Sequence, residues 1–315
     1  MHKFNNLKYI ISIFVILFFF IVLLLKFLDI YLNSTYGLGN PILYEPSNKH
    51  GYLIKPNQTV TRKGNIIKIN NRGMRNDENW EINNTNYKIL FFGDSVTYGG
   101  SIVSNKDLFT TKTCEILNST NNNIYQCGNH GVNGYNVESI TRLIKFRNVI
   151  DEDFVVVTLI GNDFERSFHN IMSQPFWNKN IPSFFPALVE VFFIFFESFK
   201  NKIKYNFINS GYPVPNDEKY YLYLIRNFNE ALELNDKKFA IFYLPESEEI
   251  FEIKHQKNNY IKFLLKNNLK NFYDLSEDLK YFNKKDLYHD SVHLNKNGHK
   301  IIGKIISSKI QNFLN

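Results

Sequence analysis

A serine placed where a buried strand leaves its sheet has the setting of a nucleophile. Residues 87–100 read Tyr-Lys-Ile-Leu-Phe-Phe-Gly-Asp-Ser-Val-Thr-Tyr-Gly-Gly. Ile89 to Phe92 is short and apolar enough for a buried parallel strand. Gly93 breaks the run, and Asp94 and Ser95 follow at the carboxyl end, where open α/β sheets build their sites. A hydroxyl there is exposed, with backbone N–H groups nearby that can hold an oxyanion. Taken alone, the stretch reads equally well as a strand–turn–helix join in which Ser95 caps a helix. Three more segments bear on the choice. Asn129-His-Gly-Val-Asn-Gly134 follows a second candidate strand, Ile160-Gly-Asn-Asp163 a third, and Asp290-Ser-Val-His293 lies near the C-terminus.

The elements that must position these segments alternate. Strands are expected at 87–92, 124–128, 154–160, 238–244 and 271–275, with helices around 106–118, 136–147, 217–234 and 256–267 and from about 297 onward. Strands alternating with helices predict a parallel sheet covered on both faces. Upstream, residues 30–86 form an accessory segment. Pro41, Pro46 and Pro56 keep its start extended, and 59–70 reads as a β-hairpin turning at Lys63-Gly-Asn65. Arg72 and Arg75 are expected to be solvated or ion-paired, with contact to an anionic substrate as the other reading. The insertion at about 164–216 carries Trp177 and the apolar run Phe184–Phe196, interrupted by Pro186 and Glu190. That run reads as core, as a lid over the site, or as an element resting on a bilayer.

In order and spacing, the four polar segments resemble the sequence blocks of the SGNH (GDSL-type) esterases, over roughly residues 87–310. The resemblance implies a flavodoxin-like three-layer α/β/α sandwich, here with an N-terminal transmembrane helix and the small β accessory segment. It implies an ester hydrolase working through an acyl-serine intermediate. Ser95 would be the nucleophile, His293 the base, and Asp290 the carboxylate that orients the histidine. The oxyanion hole would consist of the Ser95 and Gly134 N–H groups and the Asn162 side-chain amide, with Gly131 as the competitor of Gly134. The continuation His-Leu-Asn-Lys-Asn-Gly-His299 matches the family's last block, and His299 is expected to be structural. His289, His130 and His169 are lesser candidates for the base. One departure stands in the third block, where Ile160 occupies the usual first glycine position and Gly161 the variable slot.

The same residues would serve an O-acyltransferase that modifies a surface polysaccharide, or survive in an inert module that binds a glycan or a partner. Acyl esters of envelope glycan or lipid are the expected substrates, and a membrane acyltransferase is an expected partner. No metal or cofactor is expected. The chain lacks Gly-x-Ser-x-Gly, the phosphate-binding and dinucleotide glycine loops, and His-Glu-x-x-His.

Composition bounds the rest. A chain of 315 residues, 44% hydrophobic and 21% charged, folds. It has room for one α/β domain, expected at 87–315, beyond an anchor at 1–29 and the accessory segment. The formal charge of +7 comes from scattered lysines, with no basic helix or arginine run, so nucleic acid is not an expected partner. No charged residue stands between Lys8 and Lys26. Residues 9–25 are expected to anchor the chain in a membrane as an uncleaved single span, because the core is long and no small-residue cleavage pattern follows it. Lys3 and Lys8 imply a cytoplasmic N-terminus and an extracytoplasmic domain, an asymmetry that Lys26 weakens. Cys114 and Cys127 show no metal-ligand spacing and read either as one disulfide or as two buried thiols. The Asn-x-Ser/Thr triplets at Asn33, Asn57, Asn83 and Asn118 are expected by chance in so asparagine-rich a chain.

Overall fold

The computed structural model describes residues 2–82, 86–120, 124–146, 151–166, 168, 177–207, 218–234, 237–251 and 256–314. Asn83, His169 and residues 208–216 of the insertion lie outside the described residues. In chain order the elements are α1 (His2–Tyr36), β1 (Tyr44–Ser47), β2 (Gly51–Ile54), β3 (Gln58–Arg62), β4 (Asn65–Ile69), β5 (Tyr87–Gly93) and α2 (Ser95–Tyr98). There follow α3 (Phe109–Thr120), β6 (Tyr125–Gly131), α4 (Val137–Phe146), β7 (Phe154–Leu159), α5 (Pro186–Phe207), α6 (Glu218–Glu233) and β8 (Lys238–Tyr243). The chain closes with α7 (Ser247–Phe251), α8 (Gln256–Asn268), β9 (Phe272–Asp274), α9 (Ser276–Leu279), α10 (Lys284–Leu287) and α11 (Lys296–Leu314).

Five strands form one parallel sheet in the order β6-β5-β7-β8-β9. Because successive side chains alternate across a strand, Leu90 and Phe92 enter one core and Ile89 and Phe91 the other. The first core is closed by α4, α6 and α8, the second by α3 and α11. All four of these side chains are fully buried, and each contributes about 1.5–3 kcal/mol of apolar burial. The result is the expected three-layer α/β/α architecture with flavodoxin-like strand order. The order reverses between β5 and β7, and the crevice at such a switch point is where doubly wound sheets place their ligands.

The accessory segment contains the expected hairpin. Arg62 pairs with Asn65, and Lys63 and Gly64 both take positive φ, 49° and 76°, the geometry of a tight turn matching strand twist. It also contains a second hairpin, β1–β2, in a region whose prolines predict only extended chain. Pro46 is tolerated because this ribbon has just two strands and both are edges. Burial of Tyr44, Tyr52 and Ile54 against the α4 side of the sheet holds the hairpin there, with Tyr52 packed edge-to-face on Tyr135 at 5.2 Å.

Cys114 of α3 and Cys127 of β6 form a disulfide, with Cα atoms 5.8 Å apart. Helix α1 is long and apolar enough to cross a membrane, and residues Tyr9–Phe20 are exposed throughout. The apolar run of the insertion forms the start of α5, which packs beside α1.

Candidate active site

Ser95 is the first residue of α2, a single helical turn that precedes α3, the helix expected around 106–118. Asp94 caps it, its Oδ1 accepting the Val96 N–H at 2.8 Å, and Gly99 ends it with φ of 85°. The turn is pressed so closely onto β6 that a Cβ at Gly131 would meet the backbone of Thr97 and Tyr98. The serine hydroxyl is thereby held at the carboxyl end of β5, half-buried.

The loop between α10 and α11 brings the histidine to it. His293 Nε2 lies 2.9 Å from Ser95 Oγ, across 198 positions of sequence. Asp290 Oδ2 lies 2.9 Å from His293 Nδ1. Asp290 Oδ1 accepts the backbone N–H groups of Val292 at 2.9 Å and His293 at 2.7 Å. Partial burial disfavours the charge of this carboxylate. The two backbone donors and the histidine outweigh that, and its pKa stays below the usual range. An ionised carboxylate only accepts hydrogen bonds, so Nδ1 carries the ring hydrogen and the Nε2 lone pair faces the serine. The loop is tied to the end of β8, where Ser247 N–H donates to Ser291 O at 2.9 Å and Tyr288 Oη to Pro245 O at 2.5 Å.

Three amide donors stand on the loops after β5, β6 and β7, which are neighbours in the sheet. Neither the N–H groups of Ser95 and Gly134 nor the side-chain amide of Asn162 makes a hydrogen bond among the described residues. Gly134 sits in a turn closed by Tyr135 N–H to Val132 O, and its φ of 78° favours glycine. Gly131 N–H, by contrast, already donates to Asn129 Oδ1 at 2.9 Å inside β6. Ile160, in the position where the third block usually has glycine, is extended at φ −123° and buried, so that backbone does not need glycine.

Arg166 binds these loops together, a role the sequence did not announce. Its Nη1 donates to Asp94 Oδ2 at 3.1 Å and to Tyr135 O at 3.1 Å, and lies 3.5 Å from Asp163 Oδ1. Its carbonyl accepts from Asn136 Nδ2 at 2.7 Å. Burial pushes the Asp163 carboxyl well above the usual range, and the nearby Asp94 charge adds to it. Burial also opposes the charge on Arg166, but Asp94 and Asp163 outweigh it and raise its pKa. The only sequence signal was position, two residues beyond Phe164 and in register with no known block.

Arg75 departs from its expectation. It is fully buried, neither solvated nor ion-paired, donating to the carbonyls of Tyr98, Gly100 and Val103 and to Asn105 Oδ1. Those acceptors form the loop leaving α2, so the guanidinium replaces the water that would otherwise solvate it. Arg72 is exposed as expected. His299 is buried and stacked on Phe109, its Nδ1 accepting the Phe109 N–H at 3.2 Å. Burial, with the Arg75 charge nearby, lowers its pKa to about 3, as befits a neutral structural group. His130 stacks on Phe92 within the core, and His289 is exposed with its N–H on His293 O.

Among solved structures, the chain is similar to a lipase/acylhydrolase from Enterococcus faecalis, at 15% identity and a TM-score of 0.45, covering 72% of this chain and 96% of that one. It is similar to an acetyl xylan esterase from Geobacillus stearothermophilus at 17% identity and a TM-score of 0.42, covering 71% and 94%. A third, a lipolytic protein of the G-D-S-L family from Veillonella parvula, shows 14% identity and a TM-score of 0.39, covering 72% and 97%. No family model and no curated protein matches the chain. What the site can do follows from its own atoms.

Proposed function

We propose that the chain is a membrane-anchored serine ester hydrolase acting on O-acyl groups of envelope glycan or lipid. The observation that carries this reading is the line Ser95 Oγ–His293 Nε2–Asp290, closed by two contacts of 2.9 Å. Ser95 Oγ attacks the ester carbonyl as its proton passes to His293 Nε2. The carbonyl oxygen becomes an oxyanion held by the Ser95 and Gly134 N–H groups and the Asn162 amide, donors with no other partner among the described residues. Each such donor is typically worth ~10²–10³ in rate. The ester C–O bond breaks, His293 returns the proton to the leaving alcohol, and Ser95 keeps the acyl group. Water then attacks with His293 again as base, releasing the acid and restoring the hydroxyl. Asp290 stays ionised throughout and stabilises the imidazolium.

The Asp290 and His293 side chains are 48% and 31% exposed. A triad this open to solvent supports water as the acceptor over acyl transfer to a sugar, which needs water excluded. Helix α1 supports single-pass anchoring, and the Cys114–Cys127 disulfide supports an oxidising compartment for the domain.

The test has two arms on separate samples of the full chain: labelling by a fluorophosphonate, and exposure of unlabelled protein to acetyl esters with and without an oligosaccharide acceptor. Wild type is expected to carry the adduct and a transient acyl mass shift on Ser95, and Ser95→Ala neither. Equal labelling of both proteins would overturn the reading. Acyl transfer to the acceptor outpacing release of free acid would replace hydrolysis by transfer.

A further inference from the structure

Helix α5 has two faces of opposite character. Inward, Glu190 is 2% exposed, pairs with Arg62 of β3 and accepts the Gly39 N–H at 2.6 Å. Outward, Phe192 and Phe195 are each 69% exposed, and Phe196 and Phe199 each 54%. Their spacing of three, four and seven residues makes one continuous stripe along the helix. Four neighbouring phenylalanines left in water are far from an ordinary scattering of exposed apolar residues.

The location of α5 identifies what covers that stripe. Lys26 is the first charge after the apolar run of α1. Its Nζ donates to Phe184 O at 2.5 Å and lies 4.3 Å over the Phe184 ring. One turn on, the buried carboxylate of Asp29 accepts the Leu188 N–H at 3.0 Å. The 17 residues from Tyr9 to Leu25 rise about 26 Å as a helix, close to the hydrocarbon thickness of a bilayer. The start of α5 is therefore fastened to the level at which α1 leaves the hydrocarbon. Its phenylalanine stripe begins about 6 Å further along.

We infer that α5 is a second membrane-contacting element, lying in the bilayer interface with Phe192, Phe195, Phe196 and Phe199 among the lipids. It seats the domain as well as tethering it. Trp177 packs on Phe193 at 4.8 Å, and its carbonyl accepts the Tyr44 N–H at 2.7 Å. Tyr44 Oη accepts from Asn133 Nδ2 at 3.1 Å, next to Gly134. An unbroken series of contacts thus runs from the bilayer seat to the candidate oxyanion loop. The site is held at a set height over the membrane, suited to esters presented at its surface.

The test uses the full chain in nanodiscs of ordinary or bromine-labelled phosphatidylcholine with some anionic lipid. Phe192→Trp, Phe195→Trp and, as a control on an exposed loop, Tyr281→Trp each add one indole to the shared background of Trp80 and Trp177. Because interfacial helices insert about 5–10 Å, within range of acyl-chain bromines, the added emission at 192 and 195 should fall about threefold or more. That at 281 should stay unchanged. Quenching at 192 and 195 no greater than at 281 overturns the inference. So does blue-shifted but unquenched emission, which would mean that a protein, a second copy included, covers the stripe. Repeating the measurement in Ser95→Ala separates this result from the ester-cleavage reading, since lipid contact does not depend on the hydroxyl.

Discussion

Replacing Asp290 by asparagine should slow the reaction of Ser95 more than replacing it by alanine, although asparagine is the closer match in shape. Asp290 Oδ1 is held by two backbone N–H donors, at 2.9 and 2.7 Å. In Asp290→Asn those donors keep the amide oxygen, so the amide NH₂ faces His293 Nδ1. That nitrogen must then accept, which puts the ring hydrogen on Nε2, where the serine proton has to go. Restoring the active tautomer means turning the amide over, which breaks two hydrogen bonds and sets an NH₂ against two donors, at about 3 kcal/mol. Losing the carboxylate opposite the imidazolium costs about 2 kcal/mol more, since Asp290 is half exposed and water screens it. Together these are about 5 kcal/mol, or a rate roughly 10⁴-fold lower. Alanine leaves Nδ1 to water, which accepts as readily as it donates, so about 10²-fold is expected from the lost charge and looser ring. The assay is the second-order rate of fluorophosphonate labelling, with release of a simple alkyl alcohol from its acetate alongside. An alkoxide needs a proton to leave, so the ester exposes both halves of the histidine's work. An asparagine variant retaining more than about a tenth of wild-type rate, or an alanine variant slower than the asparagine one, refutes the tautomer argument.

Three further outcomes are expected. Arg166→Lys keeps a cation between Asp94 and Asp163 but cannot also reach Tyr135 O, so labelling should slow about tenfold or more with the melting transition little changed; an unchanged rate would remove Arg166 from the positioning of the loops. Arg75→Ala leaves three carbonyls and Asn105 without their buried donor and should lower stability by about 3–5 kcal/mol in urea unfolding, whereas a loss under about 1 kcal/mol would show that water replaces it. His299 titrates near 3 folded against about 6.5 unfolded, so the unfolded chain binds the extra proton between those values and stability falls as pH drops through that window, by on the order of 4 kcal/mol at its foot. His299→Asn keeps an acceptor for Phe109 N–H and should flatten this acid loss between neutral pH and about pH 4.5; an equally steep loss would assign it to other groups.

Local pattern alone determined a good deal of this protein. Apolar runs such as Phe154–Leu159, short and β-branched, read as buried strands, and the uncharged stretch from Tyr9 to Leu25 is long and apolar enough to span a membrane, because both follow from local composition and length. Ser95, Gly134, Asn162, Asp290 and His293 were legible as candidates through the resemblance of their segments to the SGNH blocks; position at the end of a strand alone left Ser95 open between a nucleophile and a helix cap. What the tertiary structure decided concerns partners far apart in sequence. Arg75 reads as a surface cation until the carbonyls of 98–103 surround it, and Arg166 as an ordinary loop residue until Asp94 and Tyr135 meet at its guanidinium. The β1–β2 hairpin was hidden because its stability comes from Tyr135 and the α4 side of the sheet rather than from its own turn. Pairing of Cys114 with Cys127, and the docking of α5 on Asp29 and Arg62, likewise required two elements to be brought side by side. Periodicity reports which face of an element is apolar; only packing decides what meets it.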